Sequence, residues 1–377
     1  MAIVRHTLYK KSEQFIPMQA MSLPKSDVLM VARDRITNPI AQLSTASLSD
    51  FGRIAVLRHT LARDSKPMSE ILTANKIEVV HAHFGVEGLY TQKAARQLDL
   101  PHVTTLHGFD VSTTTKGLIR SRRPAWVHYA MQRRSFLTSA DALVCVSEHI
   151  RDLAVKLGAD ESRISVIGTG VQVDKIEATE PPDNATVVHV ARLVEKKGTS
   201  YLIDAFAQIV REVPTAQLRI IGEGPLESQL KAQAERLGLQ ASVKFLGVQP
   251  HDVVLSEIAE ARVFCMPSVT AASGDQEGLG QVLLEAGASA RPVVATRHGG
   301  ITDAVVDGET GLLVDERDAF GLAEAISGLL GDDTAVRRLG LGARRRVEAD
   351  FDVRVQAAKL EQVYRSTLSS SSAKSGS

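Results

Sequence analysis

The chain has 377 residues, of which 44% are hydrophobic, and its 44 basic and 44 acidic side chains give a formal net charge of zero. Because this length exceeds what one ordinary hydrophobic core serves, we expect two domains. The charge balance argues against nucleic acid as the main partner, since proteins that bind phosphate backbones are usually basic. No stretch reaches the ~18 to 20 uninterrupted apolar residues that span a bilayer, and the first residues turn polar too early for a secretory signal.

The two cysteines, Cys145 and Cys265, lie in apolar runs that resemble strands. Such positions are typical of buried, reduced thiols, so we expect neither a disulfide nor a metal site from them. With no targeting signal in the sequence, we expect a soluble, cytoplasmic protein.

Short apolar runs alternate with amphipathic segments along the whole chain. The predicted strands are 27–33, 76–84, 102–108, 142–147, 164–170, 186–192, 217–222, 242–247, 262–268 and 292–296. Helical periodicity is clearest over 199–213 and 226–239. Strands that are apolar throughout and separated by helices indicate parallel sheets buried on both faces. The predicted fold class is therefore α/β, doubly wound.

A polar segment with two prolines, 177–186, interrupts this pattern and is predicted to be an interdomain linker. The two domains would then be 1–176 and 187–349, with a helix over 350–366 packing back on the first domain. The serine-rich end, 367–377, is expected to be disordered. Ligands in open α/β sheets bind beyond the carboxyl ends of the strands, so we expect the site in the cleft between the halves.

The segment ARLVEKKGT ends one predicted strand and opens the next helix. Arg192 can bind phosphate bidentately, Lys197 supplies a compact charge, and a helix N-terminus adds its dipole, so this turn suits a diphosphate. The alternative is a solvated basic turn.

The segment IGEGPL places Gly222 and Gly224 after another strand. Glycines allow a backbone to approach a nucleotide closely, although the spacing is not that of a dinucleotide fingerprint. The alternative is a tight strand-to-helix turn.

The segment GDQEGLGQVLLEA holds two acids, Glu277 and Glu285. If 279–289 is helical, Glu277 lies in the preceding loop and Glu285 within the helix, with free amides at the helix start suited to a phosphate. Carboxylates accept paired hydrogen bonds from vicinal hydroxyls, as on a ribose or a hexose. The alternative is a dipole-stabilising acid and a surface acid, but an apolar setting predicts a partner for Glu285.

In the first half, His81 and His83 alternate on one predicted strand and therefore share a face. No cluster of ligands completes a metal site around them. His107, at the next strand end and followed by Asp110, is a better candidate, because its imidazole can donate to a sugar hydroxyl or to a developing negative charge.

Five segments together resemble a family 4 glycosyltransferase of the GT-B fold, with two Rossmann-like domains facing a central cleft. These segments are ARLVEKKG, IGEGPL, KFLG, MPSVTAASGDQEGLGQVLLEAGASARPVVATRHGG and VVDGETGLLV. The resemblance spans about residues 75–350. The loop SVTAASGDQEG and the segment SEQFI resemble the subgroup that builds bacterial exopolysaccharide and colanic-acid-like repeats.

The resemblance implies transfer of a sugar from a UDP- or GDP-sugar with retention of configuration, and no cofactor or metal. It implies that Arg192 and Lys197 hold the donor diphosphate, that Glu285 binds the ribose and that Glu277 contacts the transferred sugar. The rest of the implied site comprises the backbone of Gly278, Leu279, Gly280 and Gln281, the nucleotide border of Gly222, Gly224 and Leu246, and His107 from the opposite domain. His107, Glu277, Arg192 and Lys197 are the implied catalytic set.

Two positions depart from the family pattern. The first loop, 4–15, contains no glycine, so Ser12 and Glu13 are the candidates for ligand contact there, with helix capping as the alternative. His83 and Asp110 complete the candidates on the acceptor side. Gln172 stands where the family has aspartate, and no chemistry is assigned to it.

The segment 116–135 carries six basic residues around Trp126 and Tyr129. Such a surface suits anionic lipid, at the inner face of the plasma membrane, and a glycan acceptor linked to a polyprenyl diphosphate. A solvated helix face is the alternative.

Two other functions remain compatible with the sequence: a nucleotide-sugar 2-epimerase, and a non-catalytic protein that binds a nucleotide-sugar.

Overall fold

Two fully parallel sheets organise the computed structural model, which describes residues 1–37 and 40–375, without the side chains of Lys11 and 371–375. Each sheet belongs to one of two compact units. The first unit is Met1–Gly170 together with the last helix, and the second is Val171–Asp352. The strands are short and mostly buried along their whole length, as expected for parallel sheets covered on both faces.

The first sheet has the strand order β3-β2-β1-β4-β5-β6-β7. Its strands are β1 Ala2–Arg5, β2 Leu29–Ala32, β3 Ser44–Ser47, β4 Val80–His83, β5 His102–Leu106, β6 Ala142–Cys145 and β7 Ile164–Val166. The helices of this part are α1 Phe15–Met21, α2 Arg53–Ala62, α3 Lys66–Ala74, α4 Gly85–Gln97, α5 Phe109–Ser112, α6 Thr115–Arg120, α7 Pro124–Thr138 and α8 Glu148–Lys156.

The second sheet has the order β10-β9-β8-β11-β12-β13. Its strands are β8 Thr186–Val190, β9 Gln217–Ile221, β10 Val243–Gly247, β11 Val263–Met266, β12 Val293–Thr296 and β13 Gly311–Val314. Its helices are α9 Thr199–Glu212, α10 Glu227–Arg236, α11 His251–Ala259, α12 Gln281–Ala288, α13 Ile301–Ala304, α14 Ala319–Leu330 and α15 Asp333–Asp350. The predicted helices over 199–213 and 226–239 are therefore confirmed as α9 and α10.

The last helix, α16 Val353–Ser375, belongs to the first unit. Ala357, Leu360, Val363 and Tyr364 are buried in the core of that unit. The helix continues beyond the predicted end at 366, so 367–375 are helical and not disordered; residues 376 and 377 lie outside the described part of the chain.

The prediction of a linker over 177–186 is wrong, because the structure holds this segment inside the second unit. Arg291, fully buried, donates from Nη1 to the carbonyl of Thr179 at 2.8 Å, and Arg262, also buried, donates from Nη1 to the carbonyl of Pro182 at 3.4 Å. Buried guanidinium groups need such acceptors, and they tie the polar segment to the unit that follows it. The chain instead changes units at Gly170–Val171 and at Asp352–Val353.

The sequence patterns missed three strands, β1, β3 and β13. β3 has the sequence STAS and lies at the edge of its sheet, where one flank meets water and an apolar run is not required. Both cysteines are buried, in agreement with prediction, and burial raises the pKa of Cys145 to about 12. Among the described helices, none has both the length and the apolar character that crossing a bilayer requires.

Each sheet has a point where the direction of strand addition reverses. In the first sheet it lies between β1 and β4, and in the second between β8 and β11. The loops that leave the carboxyl ends of these neighbouring strands diverge, and the crevice they form is where open α/β sheets bind ligands.

Candidate functional site

The candidate donor residues of the second unit collect at the reversal point between β8 and β11. Arg192 and Lys197 follow β8, and Glu277 follows β11, the strand hydrogen-bonded to it. Arg192 is exposed, and its guanidinium group forms no hydrogen bond or ion pair with the described residues. This part of the sheet edge therefore presents a guanidinium group with its donors available.

Lys197 and Glu277 form an ion pair, with Nζ and Oε2 2.5 Å apart. Beside them, Lys196 Nζ lies 3.1 Å from Asp275 Oδ1. Burial raises the pKa of Glu277, but the ammonium groups of Lys197 and Lys196 outweigh it and hold that pKa at about 2. Glu277 is therefore a carboxylate at neutral pH and accepts hydrogen bonds without donating one.

Two residues that sequence reasoning missed, His298 and Glu316, support the loop that carries Glu277. The amide of Glu277 donates to Nε2 of His298 at 3.1 Å, and Nδ1 of His298 lies 2.6 Å from Oε1 of Glu316. Because Nε2 accepts, the neutral imidazole carries its proton on Nδ1 and donates to the carboxylate. Glu316 also accepts from the amide of Thr270 at 2.8 Å, so it joins both ends of the loop. The only signal in the sequence was the position of His298 beside a glycine pair.

The glycines after β9 have a packing role in this structure. Gly222 has φ +127°, and a Cβ atom there would lie 2.0 Å from the carbonyl oxygen of Ala191. A Cβ atom on Gly224 would lie 2.4 Å from the carbonyl oxygen of Leu193. The two loops therefore pass backbone against backbone, which accounts for glycine at both positions without any ligand.

Helix α12 begins at Gln281, two residues after the predicted start, and as predicted Glu277 precedes it and Glu285 lies within it. Gly280 is its N-cap residue, with φ +89°, a conformation that favours glycine. Gly278 and Leu279 are buried in the preceding turn, and Gln281 is the first helical residue.

Glu285 has the partner that its apolar setting predicts. Nε2 of His251, at the start of α11, lies 3.0 Å from Oε1 of Glu285. The hydrogen bond to Glu285 raises the pKa of His251 above its usual value. Leu246, the penultimate residue of β10, is half-buried.

In the first unit, a buried arginine organises the glycine-free loop after β1. Arg5 Nε and Nη2 lie 2.8 and 2.9 Å from the two carboxylate oxygens of Glu13, and Nη1 lies 2.9 Å from Glu87. Its guanidinium carbon is 3.9 Å from the centre of the Phe84 ring. This network fixes the loop by charge and packing, where the family pattern uses glycine.

Ser12 and Glu13 lie in a short 3-10 turn, Lys11–Glu13, that precedes α1. Ser12 is exposed, and neither it nor Glu13 caps the turn or the helix through its side chain. The capping alternative is therefore wrong, and Glu13 is engaged by Arg5.

His83 and His107 meet at the carboxyl ends of β4 and β5, with His83 Nδ1 3.0 Å from His107 Nε2. Asp110 is fully buried, and its two oxygens accept from the amides of His107 at 2.7 Å and Gly85 at 2.9 Å. Burial raises the pKa of Asp110 to about 7, although these hydrogen bonds oppose the shift. His83 and Asp110 are both buried, and the acceptor contacts of these two residues stay a prediction.

The predicted basic and aromatic surface over 116–135 is only partly present. Tyr129 is buried, and Trp126 stacks on Phe109 with ring centres 4.8 Å apart. Arg133 is buried and donates to the carbonyl of Thr113 at 2.7 Å. The remaining basic residues, Lys116, Arg120, Arg122, Arg123 and Arg134, are exposed. Tyr129 therefore belongs to the unit's interior, whereas Trp126 is half-buried against Phe109.

Within the described part of the chain, no three histidine, cysteine, aspartate or glutamate residues are arranged to hold a metal ion. The chemistry available at the edge of the second sheet is a pair of cations, a helix start and two carboxylates. Such a set binds an anionic group together with hydroxyl groups.

Two family models match the chain in succession. "Glycosyltransferase Family 4" matches residues 49–175, and "Glycosyl transferases group 1" matches residues 172–346. The "Putative colanic acid biosynthesis glycosyltransferase WcaL" of Escherichia coli K12 is 32% identical over 297 residues, covering 76% of this chain and 70% of the relative. The amylovoran biosynthesis glycosyltransferase AmsK of Erwinia amylovora is 29% identical over 304 residues, covering 78% and 72%.

Two solved structures share the fold along nearly the whole chain. HepE from Anabaena, in complex with UDP and glucose, has a TM-score of 0.76 at 20% identity and covers 97% of this chain and 99% of that one. The sucrose-phosphate synthase of Thermosynechococcus elongatus has a TM-score of 0.82 at 21% identity, covering 98% and 99%. The two parallel-sheet domains are those of the GT-B fold, and the chain belongs to glycosyltransferase family 4 and is a sugar-transferring enzyme.

Proposed function

We propose that this glycosyltransferase moves a sugar from a UDP- or GDP-sugar to a glycan or a lipid-linked glycan in the synthesis of a bacterial exopolysaccharide. The observation that carries the proposal is the arrangement at the reversal point of the second sheet, where Arg192 is exposed beside the Lys197–Glu277 ion pair. The names of WcaL and AmsK support the exopolysaccharide role, and the UDP and glucose bound by HepE support a nucleotide-sugar donor.

Arg192 and Lys197 are assigned to the donor diphosphate. Negative charge develops on this group as the sugar leaves, and fixed cations with a helix N-terminus stabilise it in place of a metal ion. Before donor binding, Lys197 is neutralised by Glu277, so the incoming diphosphate competes for the ammonium group. We therefore propose metal-independent catalysis, with an undiminished rate in excess EDTA as the expected result and loss of turnover as the contrary one.

Glu277 is assigned to hydroxyl groups of the transferred sugar and Glu285 to those of the ribose. Both are buried carboxylates, and among the described residues one basic side chain is hydrogen-bonded to each, which leaves acceptor capacity for hydroxyl donors. Gly222, Gly224 and Leu246 are assigned to the border of the nucleotide, following the family resemblance, and His107 to the sugar.

We propose transfer with retention through a same-face mechanism, in which the leaving phosphate helps to deprotonate the acceptor hydroxyl. A retaining glycosidase instead uses a carboxylate as nucleophile, with a second carboxyl group about 5–5.5 Å away. Glu277 is a poor nucleophile here because its charge is held by Lys197. A product with the anomeric configuration of the donor is expected, and an inverted product would overturn this mechanism.

A thermal-shift screen of UDP- and GDP-sugars, followed by turnover assays on the best binder, tests the donor. Binding to the folded state raises Tm by mass action.

We expect Glu277→Ala and Arg192→Ala each to lower turnover by about a hundredfold or more while the fold survives. Arg236→Ala, at an exposed position of α10, is the matched control. Near wild-type rates in Glu277→Ala or Arg192→Ala would contradict the assignment of these residues to the donor site.

The same assays separate the two competing functions. An epimerase consumes the donor without an acceptor and returns an altered nucleotide-sugar. A non-catalytic binding protein raises Tm but yields no product with any acceptor.

For the membrane contact, we propose that helix α2 docks on anionic lipid at the cytoplasmic face of the membrane, in place of the aromatic side chains of 116–135. Ile54, Leu57 and Leu61 are 75%, 57% and 51% exposed and, at positions i, i+3 and i+7, form one apolar stripe. Arg53 and Arg58 are exposed beside the stripe. An apolar face flanked by cations inserts into an anionic interface, which suits an acceptor carried on a polyprenyl diphosphate.

Sedimentation with liposomes tests this surface. We expect binding to vesicles of phosphatidylglycerol and phosphatidylcholine, weak binding to phosphatidylcholine alone, and loss of binding in Ile54→Ser/Leu57→Ser. Val355→Ser, another exposed apolar position, is the matched control. Equal binding to both vesicles, or an oligomer in solution that the double variant disrupts, would discard the lipid assignment.

A further inference from the structure

One ring nitrogen of His83 is hydrogen-bonded, and the other is buried without a partner among the described residues. Its side chain is 1% exposed, Nδ1 lies 3.0 Å from His107 Nε2, and Nε2 forms no hydrogen bond with the described residues. His81, two residues earlier on β4, differs because its ring nitrogens pair with Thr105 at 2.7 Å and Tyr364 at 2.8 Å. His83, the histidine with only one hydrogen-bonded ring nitrogen, is therefore the one that contacts His107, the candidate catalytic histidine.

The His107 ring is held in place on the remaining sides. Its centre lies 4.4 Å from that of Phe84 and 5.1 Å from that of Phe15, and its amide is bound by Asp110. His107 is partly exposed, and its Nδ1 forms no hydrogen bond with the described residues. This nitrogen is therefore the one available to substrate at the carboxyl edge of the first sheet.

Both imidazoles are neutral at physiological pH. Burial lowers the pKa of each well below its usual value, and the positive charge of Arg5 lowers both further. A single proton therefore lies between the two rings, and it can be bonded to either nitrogen, which gives two arrangements.

In the first arrangement, His83 Nδ1–H donates to His107 Nε2, so neutral His107 carries its own proton on Nδ1. In the second, His107 Nε2–H donates to His83 Nδ1, so His83 carries its proton on Nε2. The second arrangement buries an N–H group that has no acceptor within the described residues, whereas the first leaves only an unused lone pair. Orphaned buried N–H groups are rarer in proteins than under-satisfied acceptors, so the first arrangement is favoured.

We propose that His83 is a positioning residue that holds His107 in the tautomer with the proton on Nδ1, so that His107 presents a hydrogen-bond donor to substrate. A donor at this place can bind a sugar hydroxyl oxygen or a developing negative charge, whereas a bare lone pair cannot bind the latter. The proposal rests on the assignment of His107 to the transferred sugar. It adds the reason why a second, buried histidine stands behind the first.

The tautomer can be measured without any activity. The full-length protein, labelled with ¹⁵N-histidine, gives a two-bond ¹H–¹⁵N pattern that differs between Nδ1–H and Nε2–H imidazoles, and loss of one pattern in His107→Gln assigns that residue. We expect Nδ1–H for His107 in the wild type and a mixture in His83→Leu. His83→Asn retains an N–H donor near the position of Nδ1 and should keep the wild-type pattern.

Kinetics provide the second measurement. His83→Leu should lower kcat on the order of ten- to a hundredfold, with partial recovery in His83→Asn. His102→Leu, a buried histidine at the opposite end of β5, is the control for destabilisation alone. A wild-type His107 protonated on Nε2, or a tautomer unchanged in His83→Leu, would overturn the proposal. If no nucleotide-sugar is consumed, the proposed function fails, and the tautomer measurement still decides the role of His83.

Discussion

Lys197 and Glu277 are 80 residues apart in sequence and paired at the edge of the second sheet. Removing only the lysine leaves a buried carboxylate without its nearest cation, which costs more than the pair contributes. We expect Lys197→Met to lower the free energy of unfolding by about 1–3 kcal/mol, less than for a fully isolated charge because Lys196 stays close. Urea unfolding at pH 7 measures this difference.

The double variant Lys197→Met/Glu277→Gln is the control for that effect. It removes the stranded charge, so it should be more stable than Lys197→Met while remaining inactive. Equal stability of the single and double variants would show that Glu277 does not depend on Lys197.

We also expect Glu277→Gln to bind free UDP or GDP more tightly than the wild type, because the diphosphate then no longer competes with the Glu277 carboxylate for the Lys197 ammonium group.

At the scale of elements, the loop between β11 and α12 depends on His298 for its shape. His298→Ala removes the acceptor for the Glu277 amide and the donor to Glu316. We expect faster hydrogen–deuterium exchange over 267–280 and a higher KM for the donor, because the loop loses its fixed position. Arg297→Ala, at the exposed neighbouring residue, should leave both unchanged. Unaltered exchange in His298→Ala would contradict this role.

The loop between β11 and α12 shows which features could be predicted from the sequence and which could not. Periodicity placed α12 and separated Glu277 from Glu285, because an apolar helix after a glycine-broken turn is a local signal. It could not find Glu316, which meets Thr270 across 46 residues only once the sheet order is known. Sequence patterns also predicted a linker over 177–186, because the partners of that segment are buried arginines far along the chain. Local chemistry was predictable, whereas contacts set by topology were not.

At the scale of the whole molecule, the first unit is completed by the end of the chain. Leu360 and Tyr364 of α16 are buried in its core, and the Tyr364 hydroxyl pairs with His81 at 2.8 Å. A chain ending at Asp352 would expose this apolar surface and leave His81 without a partner for Nδ1. We expect such a chain to lose cooperative unfolding of the first unit and to aggregate, whereas the second unit keeps its own core.

A chain ending at Ser370 provides the matched truncation, because Ser369 and Ser370 are exposed. It should keep the wild-type Tm to within a degree or two, since the seven residues removed include no large apolar side chain. Tyr364→Phe in the full chain separates the hydroxyl from the ring, and its cost should be about 1–2 kcal/mol. Scanning calorimetry of the three chains measures these differences. If the chain ending at Asp352 unfolds as cooperatively as the wild type, then α16 is not part of the first unit's core in solution, and the catalytic fold would be complete without it.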